Sequence, residues 1–333
     1  MFYMRILVTG GAGFIGSNIV ESLLANKNIE HVRVLDNLAT GSTENIAEFY
    51  SSSKFEFIQG DVRDYSVCLQ ASEEIDLITH QAALGSVPRS IDDPLTTNAV
   101  NITGTLNVFA AAKEKKVKRV VYAASSSTYG DHPALPKVES EIGRPLSPYA
   151  VTKYVNELYA DVFARVYNME LIGLRYFNVF GPKQNPKGPY AAVIPLFTES
   201  LLSQRAPVIN GDGKTSRDFT FVANVVQANL LSLFTENRGA VNQVYNIGCG
   251  QQTSLLQLFQ YLKKIARSDI EAIHVSERAG DVKHSLADIS KAKNLLGYDP
   301  VVSVEEGLLQ TYEWYELNTK KLETKSVSQN SNV

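Results

Sequence analysis

Four glycines in seven residues, Gly10-Gly11-Ala12-Gly13-Phe14-Ile15-Gly16, stand between the apolar run Ile6-Leu7-Val8 and a segment with helical periodicity. A chain can turn there without Cβ atoms in the way, and its main-chain N–H groups can approach a pyrophosphate at the positive end of the helix. The last glycine lets that helix lie close to the sheet. The spacing is GxxGxxG, not the GxGxxG of many dehydrogenases, and glycines alone also serve ordinary turns. The order strand, cluster, helix selects the nucleotide reading, with Gly10, Gly13, Phe14, Ile15 and Gly16 as its contact set.

Asp36 supplies a second constraint. It ends the next strand-like run twenty residues after Gly16, where a carboxylate can accept both ribose hydroxyl hydrogens of NAD but would repel the 2′-phosphate of NADP. NAD is therefore the expected cofactor, with Asn37 in the same set. Asp61, in Gly60-Asp61-Val62 after the third run, is a candidate partner of the adenine edge, with Val62 beside it. A solvated turn carboxylate is the alternative for Asp61.

Short β-branched runs at 5–9, 31–35, 54–58, 77–80 and 118–124 alternate with helical patterns at 17–24, 97–112 and 149–167. This rhythm predicts an α/β fold, a Rossmann-like parallel sheet with helices on both faces. After Gly181 the texture changes, with Pro182, Pro186, Pro189 and Pro195 breaking up a glycine-containing stretch. The expected division is an NAD-binding domain over 1–180, to which 219–250 returns, and a smaller C-terminal substrate domain from 181–218 and 251–317. Residues 318–333 are polar and expected to fray.

With 333 residues, 44% of them hydrophobic, the chain can fill a large core without cross-links. Cys68 and Cys249 have no metal-ligand spacing, so ordinary thiols are expected and no metal site. A net charge of -3 without a basic run gives no reason to expect nucleic acid or an anionic membrane as partner. No apolar stretch approaches the roughly 20 residues that cross a bilayer, and the start of the chain lacks a signal-peptide pattern, so the cytoplasm is the expected location.

Ser125-Ser126-Ser127 follows the fifth run, and Tyr149 and Lys153 lie four apart in a predicted helix that Pro148 begins and Ser147 can cap. A sugar alcohol is oxidised only as its hydroxyl proton leaves, so a base must touch that oxygen. Tyr149 can be that base if the cation of Lys153 and an oxidised nicotinamide draw its pKa down from about 10. Ser125 can hydrogen-bond the reacting oxygen. Read alone, the same residues are a tyrosine packed at a helix start, a lysine snorkelling into water and serines in a turn. Their order after the glycine cluster favours catalysis.

At this point the sequence resembles the extended short-chain dehydrogenase/reductase family and, within it, the bacterial 4-epimerases of UDP-N-acetylglucosamine and UDP-N-acetylgalactosamine, over about residues 5–315. The resemblance rests on His80-Gln81-Ala82-Ala83-Leu84-Gly85-Ser86-Val87-Pro88-Arg89-Ser90, on Ala123-Ala124-Ser125-Ser126-Ser127-Thr128-Tyr129-Gly130-Asp131, on Leu146-Ser147-Pro148-Tyr149-Ala150-Val151-Thr152-Lys153, and on Leu174-Arg175-Tyr176-Phe177-Asn178-Val179-Phe180-Gly181. It implies Ser125, Tyr149 and Lys153 as the catalytic set. It implies Gln81, Ala82, Ala83, Asn101, Tyr176 and Phe177 near NAD. It places Gly85, Ser86, Ser126, Asn178, Ala192 and Val193 around a UDP-sugar, with Arg217 and Arg278 on its diphosphate and Asp281 and Ser285 in the substrate set.

Related dehydratases carry Asp and Glu where this chain has Ser126 and Ser127, and related decarboxylases carry Glu at the latter, so both activities are disfavoured. Small Gly85, Ala192 and Ser285, the last at a position where epimerases confined to UDP-glucose and UDP-galactose have Tyr, favour acetylated sugars. The alternatives are a UDP-glucose 4-epimerase, another NAD-dependent nucleotide-sugar oxidoreductase, or a catalytically silent NAD-bound scaffold. The resemblance also implies a homodimer joined by a four-helix bundle from 98–112 and 149–167.

Overall fold

The computed structural model describes residues 4–186, 191–277 and 283–330, with side chains as far as residue 320. Seven strands form one sheet: β1 (Met4–Thr9), β2 (Ile29–Asp36), β3 (Phe55–Gln59), β4 (Leu77–His80), β5 (Arg119–Ser125), β6 (Glu170–Tyr176) and the strand Gln243–Ile247. The order is β3-β2-β1-β4-β5-β6 and then Gln243–Ile247, every neighbouring pair being parallel. The chain thus builds outward one way from β1 and the other way from β4. That reversal opens a crevice at the carboxyl ends of the strands.

Residues alternate faces along β1: Ile6 and Val8 belong to one core and Leu7 to another. Burial on both faces makes such strands read as continuous apolar runs, and each aliphatic side chain so buried contributes about 1.5–3 kcal/mol. The intervening helices are α1 (Phe14–Ala25), α2 (Tyr65–Ala71), α3 (Val87–Asp92), α4 (Pro94–Asn98), α5 (Gly104–Glu114) and α6 (Pro148–Tyr167). Ile19, Val20 and Leu23 of α1 cover one face with Val225 and Leu233 of the helix Val222–Phe234. Val108 and Phe109 of α5 cover the other with Phe163 of α6. A third core gathers Phe197, Leu201, Phe259, Leu262 and Leu308 from the helices Val193–Leu202, Leu255–Ala266 and Val304–Asn330.

Helix α6 begins as its sequence predicts. Ser147 has extended backbone angles, Pro148 follows it, and the Ser147 hydroxyl accepts from Ala150 N–H at 3.1 Å, a cap of about 1 kcal/mol. Farther along, Glu157 takes the buried Arg175 guanidinium of β6 in two hydrogen bonds of 2.9 and 2.7 Å, tying the helix to the sheet.

Three elements differ from expectation. Strand β6 is absent from the runs identified by sequence because Gly173 and Arg175 interrupt its apolar residues; a buried arginine is tolerated there only because Glu157 meets it. The helix expected over 97–112 is α4, a π-helical turn at Ala99–Thr103 and α5 in succession. The polar segment expected to fray from 318 continues the helix Val304–Asn330. Its Glu, Lys, Leu and Gln are good helix formers, and Lys320 pairs with Glu316 one turn back at 3.2 Å. Among the described residues no helix is long and apolar enough to cross a membrane. Cys68 is buried, Cys249 half-buried, and both are free thiols.

Candidate active site

The crevice is a cleft of about 580 Å³, floored by the turn after β1 and walled by the ends of β2, β4, β5 and β6. Gly10 sits at φ +69°, and a Cβ on it would stand 2.6 Å from the Ala82 nitrogen; one on Gly16 would stand 2.1 Å from the Gly10 carbonyl oxygen. Only glycine allows that approach. Gly13 caps α1, and Gly10, Gly13, Phe14, Ile15 and Gly16 all line the cleft.

Asp36 enters the cleft from the end of β2, its carboxylate accepting from Ala12 N–H at 3.0 Å and Leu38 N–H at 2.8 Å. Burial raises its pKa above the ordinary aspartate value, and those two N–H groups oppose the rise. Asn37 and Val62 line the cleft as well. Asp61, expected at the adenine edge, has both its oxygens engaged by side chains, by Arg63 at 3.0 and 2.6 Å and by Asn37 at 2.8 Å. The Arg63 guanidinium holds this carboxyl down at about 2. Asp61 thereby anchors Asn37 and Arg63, two side chains that do reach the cleft.

Gln81, Ala82, Ala83, Gly85, Ser126, Tyr176 and Asn178 line the cleft, whereas Phe177 is fully buried against Tyr129. Asn101, in the π turn, accepts from Leu84 N–H at 2.8 Å and donates to Thr152 at 3.1 Å, so it pins the loop that carries Gly85. The extra residue of a π turn is a common device for aiming one side chain. Ser86 caps α3 through Arg89 N–H at 3.2 Å, and Ser90 of that helix accepts from Tyr149 N–H at 3.0 Å.

Ser125, Tyr149 and Lys153 converge in the same cleft. Ser125, at the end of β5, accepts from the Ser127 hydroxyl at 2.9 Å. Lys153 is buried, donates to the Ala123 carbonyl at 2.7 Å, and is pushed down to about 8 by burial, with Glu157 one turn away opposing. Burial raises the Tyr149 phenol above 10.0 and a hydrogen bond with Ser125 opposes the rise, while the Lys153 ammonium donates to the Ala123 carbonyl.

A second cavity of about 490 Å³ adjoins the first, sharing Asn178 and Val179, and contains Ala192, Val193, Arg217 and Lys283. Ser285 accepts from Asn178 Nδ2 at 3.3 Å. Arg217 donates to the carbonyls of Ser216 and Lys283 at 3.0 and 3.2 Å. Arg278 and Asp281 lie outside the described residues.

Two further residues escaped the sequence reading. Gln184 lines the first cleft, with Nε2 on the Val179 carbonyl at 3.3 Å and an Oε1 that has no protein partner. Asp218, beside Arg217, is wholly buried and pushed up to about 6 by desolvation. It accepts from Cys249, Gly250 and Ala287 N–H at 2.8, 3.0 and 3.1 Å, holding two segments of chain together. A proline-free DF dipeptide was the only local sign of it.

A parallel sheet with a Cβ-free turn after β1, a ribose-height carboxylate after β2 and a Ser-Tyr-Lys group beyond them defines a nucleotide-dependent oxidoreductive fold. Residues 6–248 match the model of the NAD dependent epimerase/dehydratase family, and this chain belongs to that family. NAD is accordingly its cofactor, and the glycine approaches and Asp36 fit a dinucleotide. The chain is 38% identical to the putative UDP-glucose 4-epimerase of Methanocaldococcus jannaschii, over 95% of this chain and 99% of that one. Its structure resembles the UDP-glucose 4-epimerase of Thermotoga maritima with UDP-glucose (TM-score 0.89, 38% identity, covering 95% and 100%). It is equally close to the UDP-N-acetylglucosamine 4-epimerase of Methanobrevibacter ruminantium in complex with UDP-N-acetylmuramic acid (TM-score 0.89, 39% identity, covering 95% and 99%).

Burial of Lys153 has a pH signature. Between about 8 and the ordinary 10.5 the unfolded chain keeps a proton that the folded chain has released, so stability rises with pH across that window. The stability of Lys153→Met minus that of the native chain, from urea unfolding at pH 7 and pH 10, should therefore fall as pH rises. A constant or growing difference would contradict a depressed lysine.

Proposed function

We propose that this chain catalyses reversible C4 epimerisation of a UDP-hexose. The observation that carries this is the convergence of Ser125, Tyr149 and Lys153 in one cleft with the glycine turn and Asp36. When bound, NAD supplies an oxidant that is reduced and then reoxidised within one turnover. Gly10, Gly13 and Gly16 hold its pyrophosphate, Asp36 its adenine ribose, and Lys153 its second ribose. Tyr149 takes the C4 hydroxyl proton, and Ser125 holds the same oxygen. With the cofactor bound, the Lys153 ammonium would favour the Tyr149 phenolate and so oppose the rise in pKa that burial causes. The 4-keto sugar then turns about its phosphate linkage, and Tyr149 returns the proton on the opposite face.

The second cavity takes the uridine diphosphate, with Arg217, and Arg278 by sequence, on the phosphates. Strong anchoring there leaves the hexose loose enough to turn. Residues 1–180 with 219–250 form the NAD-binding unit, and 181–218 with 251–317 the substrate unit. Serines at 126 and 127 supply neither the acid nor the base of a dehydratase. The intact Ser-Tyr-Lys group argues against a silent scaffold.

Likeness to proteins named UDP-glucose 4-epimerase supports the glucose/galactose pair as substrate. The acetylated pair is a second reading, and one observation favours it: a Cβ on Gly85 would meet nothing within 4 Å; Ser285, bonded to Asn178, is also small. That open space supports room for an acetamido group. Ile91 and Leu95 beside α6, and Leu158, Val162 and Val166 along it, are exposed, Leu95 at 82%. We propose that 149–167, with 98–112, joins two copies of the chain in a four-helix bundle, because such an exposed apolar stripe is costly in water.

Incubation with UDP-glucose or UDP-N-acetylglucosamine, without added reductant, should yield the C4 epimer, and release of a 4-keto or uronic product would redirect the assignment. Tyr149→Phe should lower turnover about a thousandfold or more with UDP-sugar binding still measurable by calorimetry; near-native turnover would remove Tyr149 from its role. Ser285→Tyr should impair acetylated substrates selectively, whereas equal losses on both pairs would argue against a wall there. Leu158→Glu should convert a dimer into a monomer in sedimentation, and an unchanged dimer would place the interface elsewhere.

A further inference from the structure

Four side chains behind the far end of the cleft form a closed polar group. Gln81 Nε2 donates to Thr79 Oγ1 at 2.8 Å and to Asn229 Oδ1 at 3.1 Å. Thr79 donates to Asn229 Oδ1 at 3.0 Å. Asn229 Nδ2 donates to the Tyr176 hydroxyl at 2.9 Å and the Val225 carbonyl at 2.8 Å. The Tyr176 hydroxyl donates to Gln81 Oε1 at 3.1 Å.

Every N–H and O–H of these side chains is used within the group or on the Val225 carbonyl. Reversing the Gln81 amide would set its oxygen against the Asn229 oxygen, so its orientation is determined. Asn229 and Thr79 are wholly buried, while Gln81 and Tyr176 line the cleft. What remains toward the cleft is lone-pair capacity on Gln81 Oε1 and the Tyr176 oxygen. The wall accepts hydrogen bonds and has none to give.

Its place indicates what it meets. Asp36 ends β2, the glycine turn follows β1, Gln81 follows β4, and Tyr176 ends β6 in register with Ser125 of β5. A dinucleotide laid from Asp36 across β1 brings its nicotinamide to this end, where the carboxamide is the polar group bearing N–H donors.

We propose that Asn229 is a positioning residue that makes Gln81 and Tyr176 an accepting wall for the carboxamide N–H groups of the nicotinamide, an assignment resting on the cofactor reading above. Asn229 touches no ligand itself; it decides which way the Gln81 amide and the Tyr176 hydroxyl point.

The test compares NAD⁺ with 3-acetylpyridine adenine dinucleotide, in which a methyl ketone replaces the carboxamide and removes its donors. Dissociation constants are measured by calorimetry on nucleotide-stripped protein, with ADP-ribose as a probe lacking the ring. The native chain should bind NAD⁺ about five- to tenfold more tightly than the analogue. Asn229→Ser and Gln81→Met should each bring that ratio to within about twofold of unity with ADP-ribose affinity unchanged. A native ratio near one, a native-like ratio kept by both variants, or a loss confined to ADP-ribose would overturn the carboxamide assignment and leave the cofactor reading standing. Failure of the native chain to bind ADP-ribose would overturn both.

Discussion

Two stretches of backbone come closer between β1 and α1 than any side chain would permit. A Cβ on Gly16 would overlap the Gly10 carbonyl, and one on Gly10 would overlap the chain after β4. Because these contacts are allowed, α1 starts directly over the end of β1 and β4 can lie beside it. The strand order reverses between that pair. The cleft follows from this packing, and the side chains described above are arrayed along its rim in the order of the strands.

The rim is held by partners that lie outside it. Helix α6 carries Tyr149 and Lys153, and three contacts set its position: the Ser147 cap, the Ser90 hydroxyl on the Tyr149 N–H, and the buried Glu157–Arg175 pair. Breaking a buried pair by removing one member is far costlier than never having it. Asp61, Asn101 and Asn229 work the same way, each spending polar atoms on a neighbour that faces the cleft. Burial shifts the ionisable groups in opposite senses, raising Asp36 and Asp218 and lowering Lys153. In each case the charged form is the one that desolvation penalises.

Much of this was legible in the chain itself. The glycine cluster, Asp36, the spacing of Tyr149 and Lys153 and the Ser147-Pro148 start are local signals whose physics is complete within a few residues. Strand β6 was not legible, because Arg175 looks like an exposed residue until Glu157, eighteen residues earlier, is placed against it. Asp61 shows the limit from the other side: its oxygens are engaged by Arg63 and Asn37, and no sequence pattern shows which acceptors already have partners. Gln184 lies within the proline-rich stretch, and Asp218 beyond it, where periodicity has nothing to say.

By itself the sequence determined the α/β layering, the nucleotide turn, the preference for a ribose over a ribose phosphate and the residue types of the Ser-Tyr-Lys group. These depend on backbone freedom, alternation and short spacing, all encoded locally. Tertiary structure alone decided which polar atoms remain open to a ligand, which way Gln81 and Lys153 turn, and which charges are paired. Those properties belong to contacts between residues far apart in the chain, and a hydrogen bond or a desolvated charge exists only once both sides have been brought together.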